Sequence, residues 1–237
     1  MRHSLKRTIE WLGSHTGSLL VAALLVVLCI WAFIAIADEV KEGGTQRFDD
    51  WAIRALRKPA DPAQPIGPPW LAEVARDLTG LGGVAVLSLM TAAVVGFLWL
   101  REKYGAMRLV LIATLGGLTL STALKHVYNR PRPQLVAHLS AVYTTSFPSG
   151  HSMLSAIVYL TLGALLARLF EGTAIKVYIL LVAMLLTLLV GMSRIYMGVH
   201  YPTDVLAGWA VGLSWAILCW LVARRLQRQG MVERSAE

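Results

Sequence analysis

Residues 18–37 read SLLVAALLVVLCIWAFIAIA, an unbroken apolar run closed by Asp38-Glu39. About 20 apolar residues are what a helix needs to cross roughly 30 Å of hydrocarbon. A helix at the surface of a soluble domain keeps one polar face, and this run has none. It therefore reads as a membrane span. Arg2, Lys6 and Arg7 precede it, as they would in a secretory leader. The run is longer than a leader's apolar core and lacks a small-residue cleavage pattern, so it is expected to stay as the first span.

The rest of the chain repeats the pattern. Five more apolar stretches lie near 80–100, 107–124, 152–170, 176–193 and 205–223. The composition agrees, with 56% hydrophobic and only 15% charged residues, against about 25% charged in soluble domains. Lipid offers no partner to an open strand edge, so the spans must be helical. The expected fold class is all-α: a polytopic membrane protein, a six-transmembrane-helix bundle, forming a single domain over 1–237. The net charge of +8 could suit nucleic acid, but the cations sit between apolar spans and form no stripe. That favours membrane orientation over a nucleic-acid partner. Cys29 and Cys219 fall inside apolar runs and read as packing residues, not as a disulfide or metal pair.

Between the first two spans lies a polar segment, 38–79. Its Pro59–Pro69 stretch cannot be regular helix throughout. Around Phe48–Ile53 a short amphipathic piece is expected along the interface, with Trp51 as anchor. Six spans put both termini on one side, with Arg2, Lys6, Arg7, Arg101, Lys103, Arg108, Arg168, Lys176, Arg224, Arg225, Arg228 and Arg234. The other side holds Lys41, Arg47, Arg54, Arg57, Lys58, Arg76, Lys125, Arg130, Arg132 and Arg194. The first set lies close to span ends, where positive charge fixes orientation best. The termini are thus expected in the cytoplasm and segment 38–79 outside it.

Chemistry concentrates after the third and fifth spans, on that outer side. One loop runs from Lys125-His126-Val127-Tyr128-Asn129-Arg130-Pro131-Arg132-Pro133 to Pro148-Ser149-Gly150-His151. The other reads Ser193-Arg194-Ile195-Tyr196-Met197-Gly198-Val199-His200-Tyr201-Pro202-Thr203-Asp204. Lys125, Arg132 and Arg194 stand near membrane depth, where unpaired cations are costly and repel one another. A phosphate would reconcile them. Ser149 and Gly150 lead into a helix whose N-terminal N–H groups favour an anion. His200 and Asp204 are four apart, so in a helix the carboxylate reaches the imidazole and leaves the other ring nitrogen free to attack. His151 could protonate a leaving oxygen. Taken singly, each has an ordinary reading: snorkelling cations, a capped turn, a packed histidine. Three ordered motifs on one side do not arise from unrelated causes. Arg130 reads equally well as a lipid-phosphate contact or a solvated charge. Gly208 and Gly212 read as close helix packing. Tyr196 and Tyr201 read as lining a lipid path or as interface anchors. His138 has no evident partner.

Together these stretches resemble the three-part signature of the type 2 phosphatidate phosphatase family, whose site is shared with vanadium haloperoxidases and bacterial acid phosphatases. Lys125 with Arg132-Pro133, then Pro148-Ser149-Gly150-His151, then Ser193-Arg194 with His200 and Asp204 carry the likeness. The resemblance implies a phosphohistidine on His200, His151 as acid and then base, and no metal or other cofactor. It implies a lipid phosphate substrate: undecaprenyl diphosphate, phosphatidate or phosphatidylglycerol phosphate. Phosphate transfer to another acceptor, and lipid binding without catalysis, are the alternatives to hydrolysis.

Overall fold

The computed structural model describes residues 15–140, 142 and 144–228. Arg2, Lys6, Arg7 and Arg234, used above for orientation, lie outside the described residues. Helix α1 spans His15–Glu42 and is followed by the short α2, Gln46–Ala55. Strands β1, Arg57–Lys58, and β2, Asp61–Pro65, pair antiparallel. This small ribbon takes up most of the proline-rich stretch. Helix α3, Pro69–Gly80, opens with Pro69 at its start, where the missing N–H costs nothing. Then come α4 (Val84–Leu100), α5 (Tyr104–Tyr128), α6 (Gly150–Ala167), α7 (Thr173–Tyr196) and α8 (Pro202–Arg228).

Five helices (α1, α5, α6, α7 and α8) are long and apolar enough to cross a membrane, and α3 with α4 form a sixth span bent by 44°. The stretch expected near 80–100 is thus α4, and the break at 81–83 joins it to α3, which lies in the segment 38–79 expected outside the membrane. Gly83 takes an extended conformation as the N-cap of α4, which ends one helix and starts the next at a new angle. Successive spans alternate in direction. The ends of α1, α5 and α7 and the starts of α6 and α8 therefore share one end of the bundle.

Helix α6 lies at the centre. Leu154, Val158 and Tyr159 pack with Leu87, Ala183 and Val190 of α4 and α7. On its other side Met153 and Ile157 meet Ala113, Val211 and Cys219. Cys219 is accordingly a packing residue, and both cysteines are free. By contrast α1 shows Leu24, Val27 and Trp31 outward, as a lipid-facing helix must.

Lipid tails are as apolar as Leu, so these helices associate by close fit and hydrogen bonds. The fit comes from glycines. A Cβ on Gly208 would lie 2.6 Å from Ser149 O, and one on Gly212 would lie 2.6 Å from Met153 O. The small-residue pair thus sets the approach of α8 to α6. Two tryptophans use the same device. Trp209 covers Gly191 and Trp215 covers Gly116, while their indole N–H groups donate to Thr187 O (3.2 Å) and Ala113 O (2.9 Å).

Gly212→Leu should push α8 from α6 and lower stability by about 1–3 kcal/mol. Gly96→Leu, where a Cβ meets nothing within 4 Å, should be nearly neutral. Thermal unfolding of both variants in detergent checks this; equal midpoints would refute the packing role.

Candidate active site

The site is built where helices end. Lys125 lies in the last turn of α5, which Asn129 closes in the left-handed conformation (φ 42). Arg194 lies in the last turn of α7, and a turn with Gly198 at φ +71 leads to His200. Asp204 lies in the first turn of α8. These three residues, expected in loops, are helical because the apolar spans continue past their hydrophobic limits into a protein-lined interior.

His200 and Asp204 do not share a helix, since α8 begins only at Pro202. A helix start brings them together instead. The Asp204 carboxylate reaches back, and Oδ2 accepts from the Tyr201 N–H at 2.9 Å, as in a capping box. The same oxygen lies 3.4 Å from His200 Nδ1. On the other side of the ring, Arg132 Nη1 lies 3.1 Å from Nε2. An arginine N–H can only donate, so Nε2 accepts and the ring proton sits on Nδ1, facing Asp204. Burial pushes the His200 imidazole down to about 3, with Arg132 and Arg194 acting in the same direction and Asp204 against it. The ring is neutral at physiological pH, with its lone pair on the side of the cations.

Three cations gather there. Arg132 Nε donates to Thr144 O at 2.7 Å and Nη1 to Val199 O at 2.6 Å. Lys125 Nζ donates to Thr145 O at 2.7 Å, and a Cβ on Gly150 would lie 3.4 Å from Lys125 Cε. Arg194 is 3% exposed. Its Nη1 donates to Thr79 Oγ1 at 2.8 Å, but its Nε is buried with no partner. Gly150 packs against Lys125 and Ser121, so the end of α5 and the start of α6, which carries His151, converge. Ser149 is the N-cap of α6; its Oγ accepts from Ser152 N at 3.4 Å and from Ser152 Oγ at 3.0 Å. Gly82, at the α3–α4 break, packs against His151 and Val190. Among the described residues no group of three or more His, Cys, Asp or Glu is placed to hold a metal ion.

Behind these residues lies a network of buried ion pairs that the sequence did not reveal. Arg130 is buried, not solvated and not free for a lipid. Its Nη1 donates to Asp204 Oδ1 at 2.7 Å and its Nη2 to Asp49 Oδ2 at 2.8 Å. Thr203 Oγ1 donates to Asp49 Oδ2 at 2.6 Å, and Thr203 N donates to Asp49 Oδ1 at 3.2 Å. Ser146 Oγ donates to Asp204 Oδ2 at 2.5 Å. Tyr201 is buried beneath Arg130, with the guanidinium carbon 4.3 Å from its ring centroid. It is therefore neither a lipid-path residue nor an interface anchor. Tyr196 OH donates to Ile66 O at 2.8 Å, tying α7 to the end of the ribbon. His138 does have a partner, Pro133 O at 2.6 Å. One signal for Asp49 was present: it is four residues from Ile53, on the face of α2 that is buried, while Trp51 stays exposed.

Buried cations and a neutral, oriented imidazole thus gather at one end of a membrane-spanning helical bundle, and similarity to known proteins gives its class, an integral membrane phosphatase. The PAP2 superfamily profile matches residues 105–228. Phosphatidylglycerophosphatase B of Bacillus subtilis is 32% identical over 183 residues, covering 76% of this chain and 86% of the relative. The chain belongs to the PAP2 superfamily. An undecaprenyl-diphosphatase of Sulfolobus acidocaldarius is 39% identical over 70 residues, 30% of this chain and 29% of that protein. Among solved structures, the transmembrane PAP2 type phosphatidylglycerolphosphate phosphatase from Bacillus subtilis matches with a TM-score of 0.77 and 29% identity, over 86% of this chain and 98% of that one. LpxE of Aquifex aeolicus shares the fold at a TM-score of 0.56 and 24% identity, over 75% of this chain and 95% of its own.

Asp49 lies outside the matched family region yet completes the ion network of Asp204. Asp49→Ala leaves Arg130 and Thr203 short of acceptors in a buried setting, so unfolding free energy should fall by about 3 kcal/mol. Asp49→Asn keeps an acceptor and should cost less. Denaturant unfolding in micelles reads both, and an Asp49→Ala midpoint equal to the parent's would remove the network's role.

Proposed function

We propose that the protein removes phosphate from a membrane lipid phosphate or diphosphate through a phosphohistidine on His200. The observation that carries this reading is the neutral His200, its Nδ1 toward Asp204 and its Nε2 beside Arg132. In the first step Nε2 attacks phosphorus and the P–O bond to the lipid breaks. His151 gives its proton to the departing oxygen. In the second, His151 takes a proton from water, which attacks phosphorus and frees His200 and inorganic phosphate. Asp204 holds the ring tautomer and stabilises the imidazolium side of the transfer. Lys125, Arg132 and Arg194 hold the phosphoryl oxygens, helped by Ser149 and by the backbone N–H groups at Gly150 and the start of α6.

The buried Arg194 Nε without a partner supports an anion in this place. Three cations supply the charge that a metal would, so the reaction is proposed to be metal-independent. The relatives named for phosphatidylglycerophosphate and undecaprenyl diphosphate support lipid substrates with a terminal phosphate; phosphatidate fits the same chemistry. The enzyme is placed in the cell (inner) membrane with both termini cytoplasmic. Arg101, Lys103, Arg108, Arg168 and Lys176 flank two short connections at the end away from His151, which favours a catalytic end outside the cytoplasm. The connection from α1 to α3 then faces outward, and through Asp49 in α2 and Thr79 in α3 it and the bent span belong to one functional unit with motifs 125–204.

His200→Ala should lower phosphate release roughly a thousandfold or more and abolish the acid-labile, alkali-stable labelling from ³²P-lipid that a phosphohistidine gives, whereas exhaustive chelation should leave the parent's rate unchanged. Undiminished release in His200→Ala, or loss on chelation restored by Mg²⁺, would contradict the mechanism.

In a Cys29→Ala, Cys219→Ala background, a cysteine at Ala137 should react in intact cells with an impermeant thiol reagent, and one at Gly172 should not. The reverse pattern would invert the orientation.

A further inference from the structure

Helix α6 carries His151 at one end, and its other end borders a separate space. A cavity of about 880 Å³ opens there among α1, α5, α6, α7 and α8, within the range of roughly 300–1,000 Å³ usual for ligand pockets. Its walls are apolar, with Leu25, Leu109 and Leu213 among them. Three cations from three elements also line it: Arg168 just after α6, Lys176 in the first turn of α7, and Arg224 near the end of α8. Arg224 is held in place, its guanidinium 4.9 Å from the Trp220 ring centroid and Nη1 donating to Ser18 Oγ at 3.2 Å. Arg168 and Arg224 lie close enough for each charge to feel the other. Deeper in the cavity is Thr161, 8% exposed, whose Oγ1 is buried without a hydrogen-bond partner. It lies two helical turns from Arg168, about 10 Å along the axis.

A void of this size inside a bilayer fills with hydrocarbon, because its lining otherwise loses its dispersion contacts. Apolar walls do not choose among lipids, since acyl chains gain little by leaving other acyl chains. Selection falls to the polar groups. Clustered cations at head-group level favour an anionic phosphate, and a buried hydroxyl with an unused proton favours a carbonyl at ester depth.

We propose that this cavity binds an anionic phospholipid from the leaflet opposite the catalytic histidines. Arg168, Lys176 and Arg224 hold the head-group phosphate, an acyl chain fills the apolar wall, and Thr161 donates to an ester carbonyl. The site is distinct from the hydrolytic one, because the two occupy opposite ends of α6, and it does not depend on the catalytic roles given above.

Native mass spectrometry of the full chain in detergent tests this, with phosphatidylglycerol and phosphatidylcholine of identical chains as probes. The parent should bind phosphatidylglycerol about tenfold more tightly. Arg168→Gln with Arg224→Gln should remove that preference while turnover of a short-chain phosphatidate stays within about twofold. Lys125→Gln with Arg132→Gln, at the catalytic end, should keep it. Thr161→Val, nearly isosteric, should weaken phosphatidylglycerol binding about threefold at an unchanged melting temperature. Equal binding of the two lipids by the parent, preference surviving the Arg168/Arg224 pair, preference lost in the Lys125/Arg132 pair, or full affinity in Thr161→Val would each overturn the proposal.

Discussion

A carboxylate buried at the edge of a membrane must have its oxygens occupied, and Asp204 organises the catalytic end around that requirement. It is 0% exposed. One oxygen meets Ser146, the Tyr201 N–H and His200; the other meets Arg130. The partners come from two places, Ser146 and Arg130 from the long connection between α5 and α6 and His200 and Tyr201 from the turn before α8, which itself carries Asp204. Satisfying one charge therefore fixes the mutual positions of three chain segments. The Arg130 fork still has an N–H group to place in this buried setting, and α2 supplies its acceptor as Asp49. Removing any one partner strands a charge where water cannot repair it.

The helical bundle was readable because lipid leaves so few options. Apolar length alone located five spans and the α4 arm of the bent sixth, and the alternation of spans put the motif residues at one end. The ends of the helices were less legible. Hydropathy stops at the first charged residue, whereas Lys125, Arg194 and Asp204 continue their helices because the protein interior receives them. Residue types with strong chemistry, His151, His200, Asp204 and the three cations, were picked out as candidates by order and spacing. Arg130 and Asp49 were not, for a physical reason. Their roles come from a pairing across 81 residues, and neither Arg130-Pro131-Arg132-Pro133 nor Asp49-Asp50 tells which of two like residues turns inward. The α3 arm of the bent span was hidden for another reason: Glu73, Arg76 and Asp77 give it a polar face, so apolar length ends at the break.

The polar end and the apolar bundle depend on each other through small residues. Gly208 lets α8 approach the backbone of Ser149, and Ser149 N in turn donates to Asp204 O at 2.9 Å. The helix that presents Asp204 and the helix that presents His151 are thus joined at their first turns by a backbone hydrogen bond that a larger side chain at 208 would prevent. Helix packing and catalytic geometry are one constraint at this point.

The bend between α3 and α4 also decides how the molecule meets membranes of different depth. Seventeen residues in α4 give about 25 Å at 1.5 Å per residue, short of a hydrocarbon layer of roughly 30 Å. A short span is met by local thinning of the bilayer and by snorkelling of flanking cations, here Arg101 and Lys103 just beyond Leu100. The other end is pinned: Tyr159 Oη donates to Leu81 O at 2.7 Å, and Gly82 rests on His151. Adjustment to bilayer thickness is consequently expressed near Leu100, on the far side of the membrane, and the surroundings of His151 are insulated from it.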